Sequence, residues 1–415
     1  MRFIVSLALL FLTAGPVLRA GETWPQFRGP DGQGVSDAKG LPTEWGESKN
    51  VKWKTPIHGR AWSSPVIWHD EVWLTTATED GKELSVIKLD RATGKILLDR
   101  VVFHIAKPQF CYPFNSYASP TPVVEEGRIY VHYGSHGTAC LDTATGATLW
   151  TRQDLPCDHH RGAGSSPILF GNLLFINFDG FDLQYVVALD KATGQTVWKR
   201  DRDIDYGTSD GDAKKAYGTP LVIEVEGRPL LISPAAAGTT AYEPLSGEIV
   251  WRIRHGGMNA AAPPLFGHGL LFINTADGGM REFAVRPEGS GDLTANVVWK
   301  EQQAMPSRCA PLLVGDLLFM TNEAGILSCL EAASGKLVWR QRLGGHYSAS
   351  PVYADGHVYF LSEDGELPVI AAARRYELLA TNKLDDGCMA SPAVAGRALF
   401  IRTKKSLYCI EELAP

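Results

Sequence analysis

Residues 188–198 read Ala188-Leu-Asp190-Lys-Ala-Thr-Gly194-Gln-Thr-Val-Trp198. An apolar run ends on an acid, a short turn closes on glycine, and the next run carries a tryptophan. The spelling returns as CLDTATGATLW ending at Trp150, AYEPLSGEIVW ending at Trp251 and CLEAASGKLVW ending at Trp339. Trp299 ends a longer copy with RPEGSGDLTAN inserted, Leu98 holds the slot in the first unit, and Ala380 holds it in the seventh. Self-similarity at a steady period is the mark of a repeat architecture.

Working outward, a small residue followed by proline and an apolar run occurs at Pro65, Pro122, Pro167, Pro220, Pro264, Pro311, Pro351 and Pro392. The spacing of 40–57 residues suits the blades of a propeller. Each unit then reads as strand, tight turn, strand, Asp-Gly hairpin, strand, turn and tryptophan strand. Asp80-Gly81, Asp179-Gly180, Asp277-Gly278 and Asp364-Gly365 fit hairpin turns that need positive φ, so these aspartates read as turn formers. The eighth unit stops after three strands, at Leu407 to Ile410, and NVKWKT with Trp53 stands near the other end of the chain. Pairing the two closes a ring and removes both open sheet edges. The expectation is an all-β, eight-bladed β-propeller of four-stranded antiparallel blades over residues 50–415. Trp53, Trp150, Trp198, Trp251, Trp299 and Trp339 are read as structural wedges between blades.

Composition agrees. Gly and Pro number 42 and 25 of 415 residues, which favours many turns and short strands. The formal net charge is −6 with no clustered Lys/Arg, so a nucleic-acid groove is excluded. Residues 1–20 read as an export signal: Arg2, an apolar run from Phe3 to Ala14, the Gly15-Pro16 break and Ala20 at the cut. That run is short of the ~20 residues that span a bilayer. The expected location is periplasmic or secreted, with no integral membrane domain in the mature chain and residues 21–49 as an N-terminal extension. No Cys stands near the cut, so no lipid anchor is expected. Cys140, Cys329 and Cys409 share one repeat position and read as small buried residues; a Cys111–Cys157 disulfide is open.

The A-x-D-x-x-x-G-x-x-x-W spelling at Ala188, Asp190, Gly194 and Trp198 resembles the pyrroloquinoline-quinone (PQQ) repeat family of β-propellers. Trp24-Pro-Gln-Phe-Arg-Gly-Pro-Asp-Gly-Gln-Gly-Val-Ser36 and Leu41-Pro-Thr-Glu-Trp45 are similar to exported bacterial members. The resemblance implies that each tryptophan docks on the neighbouring blade near the motif glycine, where no Cβ intervenes. It implies two functions. One is a scaffold or binding module, as in the propeller of the outer-membrane β-barrel assembly machinery. The other is a PQQ-dependent dehydrogenase oxidising alcohols or aldehydes, with PQQ and calcium as cofactors and a carboxylate base. The adjacent-cysteine pair of the alcohol-dehydrogenase branch is absent from the sequence. The binding module is therefore the leading reading, because the tryptophan motif is architectural and says nothing of chemistry.

Ring closure brings the segments ahead of each motif proline to one axis. They supply Arg60 and Trp62; Asn115 and Tyr117; His159, His160 and Arg161; Lys214 and Tyr217; Asn259; Arg308; His346 and Tyr347; and Met389. All of these but Lys214 and Met389 are the expected ligand-binding residues at the channel mouth. Their arginines and histidines point to a small anionic or carbonyl-bearing ligand, or to the acidic tail of a protein partner. Asp201, Asp203, Asp205 and Asp212 have the spacing of a calcium loop, although Tyr206 replaces the usual glycine and Asp212 the usual Glu. A solvated acidic loop is the other reading. His132 and His136 flank a hairpin turn and carry no metal signature. Gly207-Thr-Ser209-Asp-Gly211 spells a nucleophile elbow but lies in that polar loop.

Overall fold

The computed structural model describes residues 21–413; the export signal expected over residues 1–20 lies outside them. Eight antiparallel sheets form the blades, which span residues 66–104, 123–152, 168–201, 221–254, 265–301, 312–342, 352–383 and, for the eighth, 393–411 with 51–56. The ring closes as expected: Val51–Pro56 pairs antiparallel with Ser406–Glu411, with Trp53 opposite Cys409. Among the described residues no helix is long and apolar enough to cross a membrane.

Burial explains the strand patterns. The second strand of blade 3, Leu173–Asp179, is buried throughout because neighbouring blades cover both its faces. The outermost strand, Thr196–Asp201, buries only Trp198. Ala188 stands opposite that tryptophan, just before a β-bulge. The same small-residue and tryptophan pairing recurs as Cys140 with Trp150, Ala241 with Trp251, Ala284 with Trp299 and Cys329 with Trp339. The repeated cysteines are thus small partners for a wide indole.

Each indole reaches the next blade. Trp53, Trp150, Trp198 and Trp299 donate through Nε1 to the carbonyls of Arg91, Lys191, Pro244 and Ala332 at 2.8–3.0 Å. Each of those carbonyls stands three residues ahead of the motif glycine on which the ring lies: Gly94, Gly194, Gly247 and Gly335. Trp251 is fully buried but its Nε1 has no protein partner, because the inserted loop of blade 5 replaces the turn that would offer a carbonyl. Gly291-Asp292 of that insert instead adds a parallel strand beside Trp251 and Arg252. Trp339 donates to the Ala373 carbonyl at 3.2 Å and is only partly buried, unlike the other wedges.

All seven cysteines are free, so Cys111 and Cys157 are not bridged. Asp179 is more than a turn former: it is buried against Arg202, with Nη2 2.5 Å and Nε 2.8 Å from its carboxylate.

Residues 24–35 cross the channel at the end opposite the mouth. They use one repeated place, the second residue after each motif proline. Trp24 bridges Ile67 of blade 1, the Pro25 carbonyl accepts from Val124 N of blade 2, Gln33 Oε1 accepts from Phe266 N of blade 5, and Val35 bridges Tyr353 of blade 7. The buried Arg28 guanidinium pins the segment, donating to the carbonyls of Gln33 (2.7 Å), Pro311 (2.8 Å) and Pro351 (3.3 Å). The chain then runs along blades 7 and 8, where Trp45 N donates to Asn382 Oδ1 at 2.8 Å.

Candidate functional site

A well of about 920 Å³ occupies the channel, closed below by Phe27 of the crossing segment. Phe27 also lines a separate 310 Å³ notch on the other side, so its ring divides the two spaces. The channel is therefore blind, and its opening is at the loop-rich face.

The lower wall is a belt built by the residue just before each motif proline. Ser64 N donates to Thr121 Oγ1 (2.9 Å), Thr121 N to Ser166 Oγ (2.9 Å) and Ser166 N to Thr219 Oγ1 (3.0 Å). On the far side Ala310 N donates to Ser350 Oγ (2.9 Å) and Ser350 N to Ser391 Oγ (2.9 Å). The hydroxyls of Thr121, Ser166, Thr219, Ser350 and Ser391 each stitch their blade to the one before it, whereas Ser64 Oγ accepts no such bond. Pro263 and Ala310 interrupt the belt at blades 5 and 6, since neither carries a hydroxyl. Beside that break Asn259, Asp277, Arg308 and Glu323 line the well, while Asn115 and Arg161 line it from the side of blades 2 and 3. Asn259 Nδ2 donates to Asp277 Oδ2 at 3.0 Å. Glu323 Oε1 accepts the backbone N–H groups of Ser307 (2.6 Å) and Arg308 (2.8 Å).

An aromatic strap overhangs the mouth between blades 1 and 2. Tyr112 lies under the Arg161 guanidinium at 5.9 Å, and Phe114 under Arg308 at 4.4 Å. Trp62 Nε1 donates to the Phe114 carbonyl at 2.9 Å, and Arg60 donates to the Pro113 carbonyl. Phe110 and Tyr112 are 60% and 51% exposed, so the rim is apolar to solvent.

Of the twelve residues expected at the mouth, Trp62, Asn115, Arg161, Tyr217, Asn259 and Arg308 line the well, as does Met389. The others do not. Arg60 and Tyr117 line a small side cleft, and the Tyr117 hydroxyl donates to the Gln109 carbonyl at 2.8 Å. His159 is buried with its Nε2 accepting from Ser135 N at 3.1 Å, and burial pushes it down to about 4. His160 is held between Phe110 and Phe181. His346 is exposed on Asp364, and Tyr347 is buried in the core between blades 6 and 7. Lys214 lies at the end of a short 3-10 helix, near Tyr206. The missed wall residues had signals open to another reading. Asp277 belongs to an Asp-Gly turn, the belt hydroxyls read as generic small residues, and Phe27 lies in the extension.

Asp201, Asp203, Asp205 and Asp212, expected as a calcium loop, do not gather around one point. Asp203 pairs with Arg252 at 2.9 Å, Asp205 caps Gly207 N at 2.9 Å, Asp212 pairs with Lys215, and Asp201 ends an exposed outer strand. Among the described residues no three His, Cys, Asp or Glu side chains converge. The well does not offer a calcium shell either. Its two carboxylates are engaged by their own neighbours, and calcium asks for a shell of about 6–8 oxygens.

The family model described as outer membrane protein assembly factor BamB matches residues 48–201 and 182–412. The chain belongs to this family of PQQ-like repeat propellers. It is 26% identical over 213 residues to the outer membrane protein assembly factor BamB of Legionella pneumophila (strain Paris), covering 49% of this chain and 50% of that protein. The chain thus spans about half the length of the curated relatives it matches. The crystal structure of BamB from Moraxella catarrhalis superposes with a TM-score of 0.61 at 12% identity, over 86% of this chain and 99% of that one. A europium-containing methanol dehydrogenase gives 0.66 at 12% identity, over 92% and 89%. Likeness at that identity speaks for the shared fold alone.

Proposed function

We propose that this chain is an exported binding propeller of the scaffold kind, without catalysis of its own, and that its ligand enters the well at the loop-rich face. One observation carries the reading. Four polar atoms of the wall are buried without a partner in the protein: Ser64 Oγ, Tyr217 OH, Asn259 Oδ1 and Arg308 Nε. Buried polar groups in native proteins are nearly always hydrogen-bonded, to protein or to ordered water, so four such atoms around one well leave polar groups there for water or a ligand to satisfy. The break in the belt supports it, since what repeats in every blade is architecture and what departs from the repeat is free to serve binding. The assembly-factor relatives support the scaffold role, the exposed rim aromatics offer a partner an apolar contact, and the leader read in residues 1–20 supports export.

Ligand-observed NMR with a library of small soluble fragments tests the reading. Fragments should bind the wild type and be lost in Ala261→Trp, which fills the well from a partly exposed position on its wall. Hits indifferent to that variant, or no hits, overturn it.

A further inference from the structure

We infer that the well takes a neutral saccharide; this rests on the well being the binding site. The charge of the wall narrows the ligand first. Arg161 and Arg308 are matched by Asp277 and Glu323, so the lining carries no net formal charge. A polyanion would meet the two carboxylates and a polycation the two guanidiniums, so neither is favoured.

The orphan atoms narrow it further. Arg308 Nε offers a donor, Asn259 Oδ1 an acceptor, and the Ser64 and Tyr217 hydroxyls serve as either. The belt adds Thr121, Ser166, Thr219, Ser350 and Ser391, each of which accepts one backbone N–H. Each keeps its own O–H to donate. A ligand that satisfies such a mixed wall must donate and accept at many points around a compact ring, as a sugar's hydroxyls do. A carboxylate only accepts, and an ammonium only donates.

Sugars also have an apolar face of C–H groups, which needs a flat surface. Trp62, Tyr112 and Phe114 line the well, and each is held by a guanidinium: Arg60 at 5.2 Å, Arg161 at 5.9 Å and Arg308 at 4.4 Å. Rings fixed in this way present area at little entropic cost. The volume is at the upper end of small-ligand sites, which suits the end of an oligosaccharide better than a single small anion.

An array of neutral and acidic glycans identifies the probe, and calorimetry with the best-bound glycan measures it. Neutral glycans should bind, with affinity nearly unchanged between about 0.05 and 0.5 M NaCl because no net charge is being neutralised. Tyr217→Phe, which removes one hydroxyl and no carbon, should weaken binding about three- to tenfold. Ala261→Trp should abolish it, both variants melting near the wild type without glycan. Binding of acidic glycans only, or of none, overturns the saccharide, whether or not fragments still occupy the well. Neutral-glycan binding that survives Ala261→Trp instead overturns the location and the reading on which it rests.

Discussion

Replacing Gly247 by alanine tests the interlock between blades directly. Gly247 has φ +69°, and a Cβ there would stand 2.6 Å from Cδ2 of Trp198. Trp198 is buried, and its Nε1 donates to the Pro244 carbonyl at 2.8 Å on the same turn. Three terms add. The left-handed backbone costs an L-residue about 1 kcal/mol, overpacking against an immobile ring costs about 1–3 kcal/mol, and displacing the indole from its carbonyl costs about 1 kcal/mol. The sum is roughly 3–5 kcal/mol. Gly227 is the control. Its φ is +74°, and a Cβ there meets nothing within 4 Å. Gly227→Ala should therefore cost only the backbone term, about 1 kcal/mol. Trp198→Ala removes the ring at about 3–5 kcal/mol, and in that background Gly247→Ala should fall to about 1 kcal/mol, a coupling of roughly 2–4 kcal/mol. Urea unfolding followed by far-UV circular dichroism reads the four variants against the wild type. If Gly247→Ala and Gly227→Ala agree within about 0.5 kcal/mol, or the double variant is additive, the indole does not rest on that glycine.

Two further outcomes follow from buried charge. Burial holds His132, His159 and His255 down to about 3, 4 and 4, against 6.5 when exposed. The unfolded chain therefore takes up their protons first, and stability falls as pH drops from 6.5 towards 4. Glu282 acts the other way: burial pushes it up to about 8, so it stabilises fully below 4.5 and less as pH rises towards 8. Burial also lowers His136 and raises Asp179; four histidines against two acids leave a net loss on acidification between pH 6.5 and 5, read as a falling melting temperature, and a flat profile refutes it. Glu282→Gln removes one opposing group and should steepen that loss. For the crossing segment, Arg28→Met leaves three carbonyls without their charged donor and should cost about 2–4 kcal/mol. It should speed proteolytic cutting within residues 24–35, and unchanged resistance there contradicts the pin.

The architecture was legible because repeats average their own signal. A motif glycine, a small residue and a tryptophan at fixed offsets set strand, turn and wedge in most units. The missing fourth strand of blade 8 was visible as a surplus tryptophan strand at residues 51–56. Local chemistry was enough there, since each blade meets only its neighbours. Where the pattern lapsed, the reading lapsed too. Trp251 fits the motif but lost its carbonyl to an insert that belongs to the next blade.

The site divides along the same line. The sequence could say that residues ahead of each proline converge on one axis, because closure of a ring follows from counting repeats. It could not say which side chains turn inward. His159 stands two residues from Arg161, yet it is spent as an acceptor for Ser135 N while Arg161 lines the well. Backbone direction at a loop is set by contacts with neighbouring blades, which have no local spelling. The floor of the well was hidden for the same reason: Phe27 and Arg28 act on carbonyls and strands up to 323 residues away. Period and composition determine an eight-bladed ring; only the folded chain decides that residues 24–35 cross one end of it, and which side chains of blades 5 and 6 face the well.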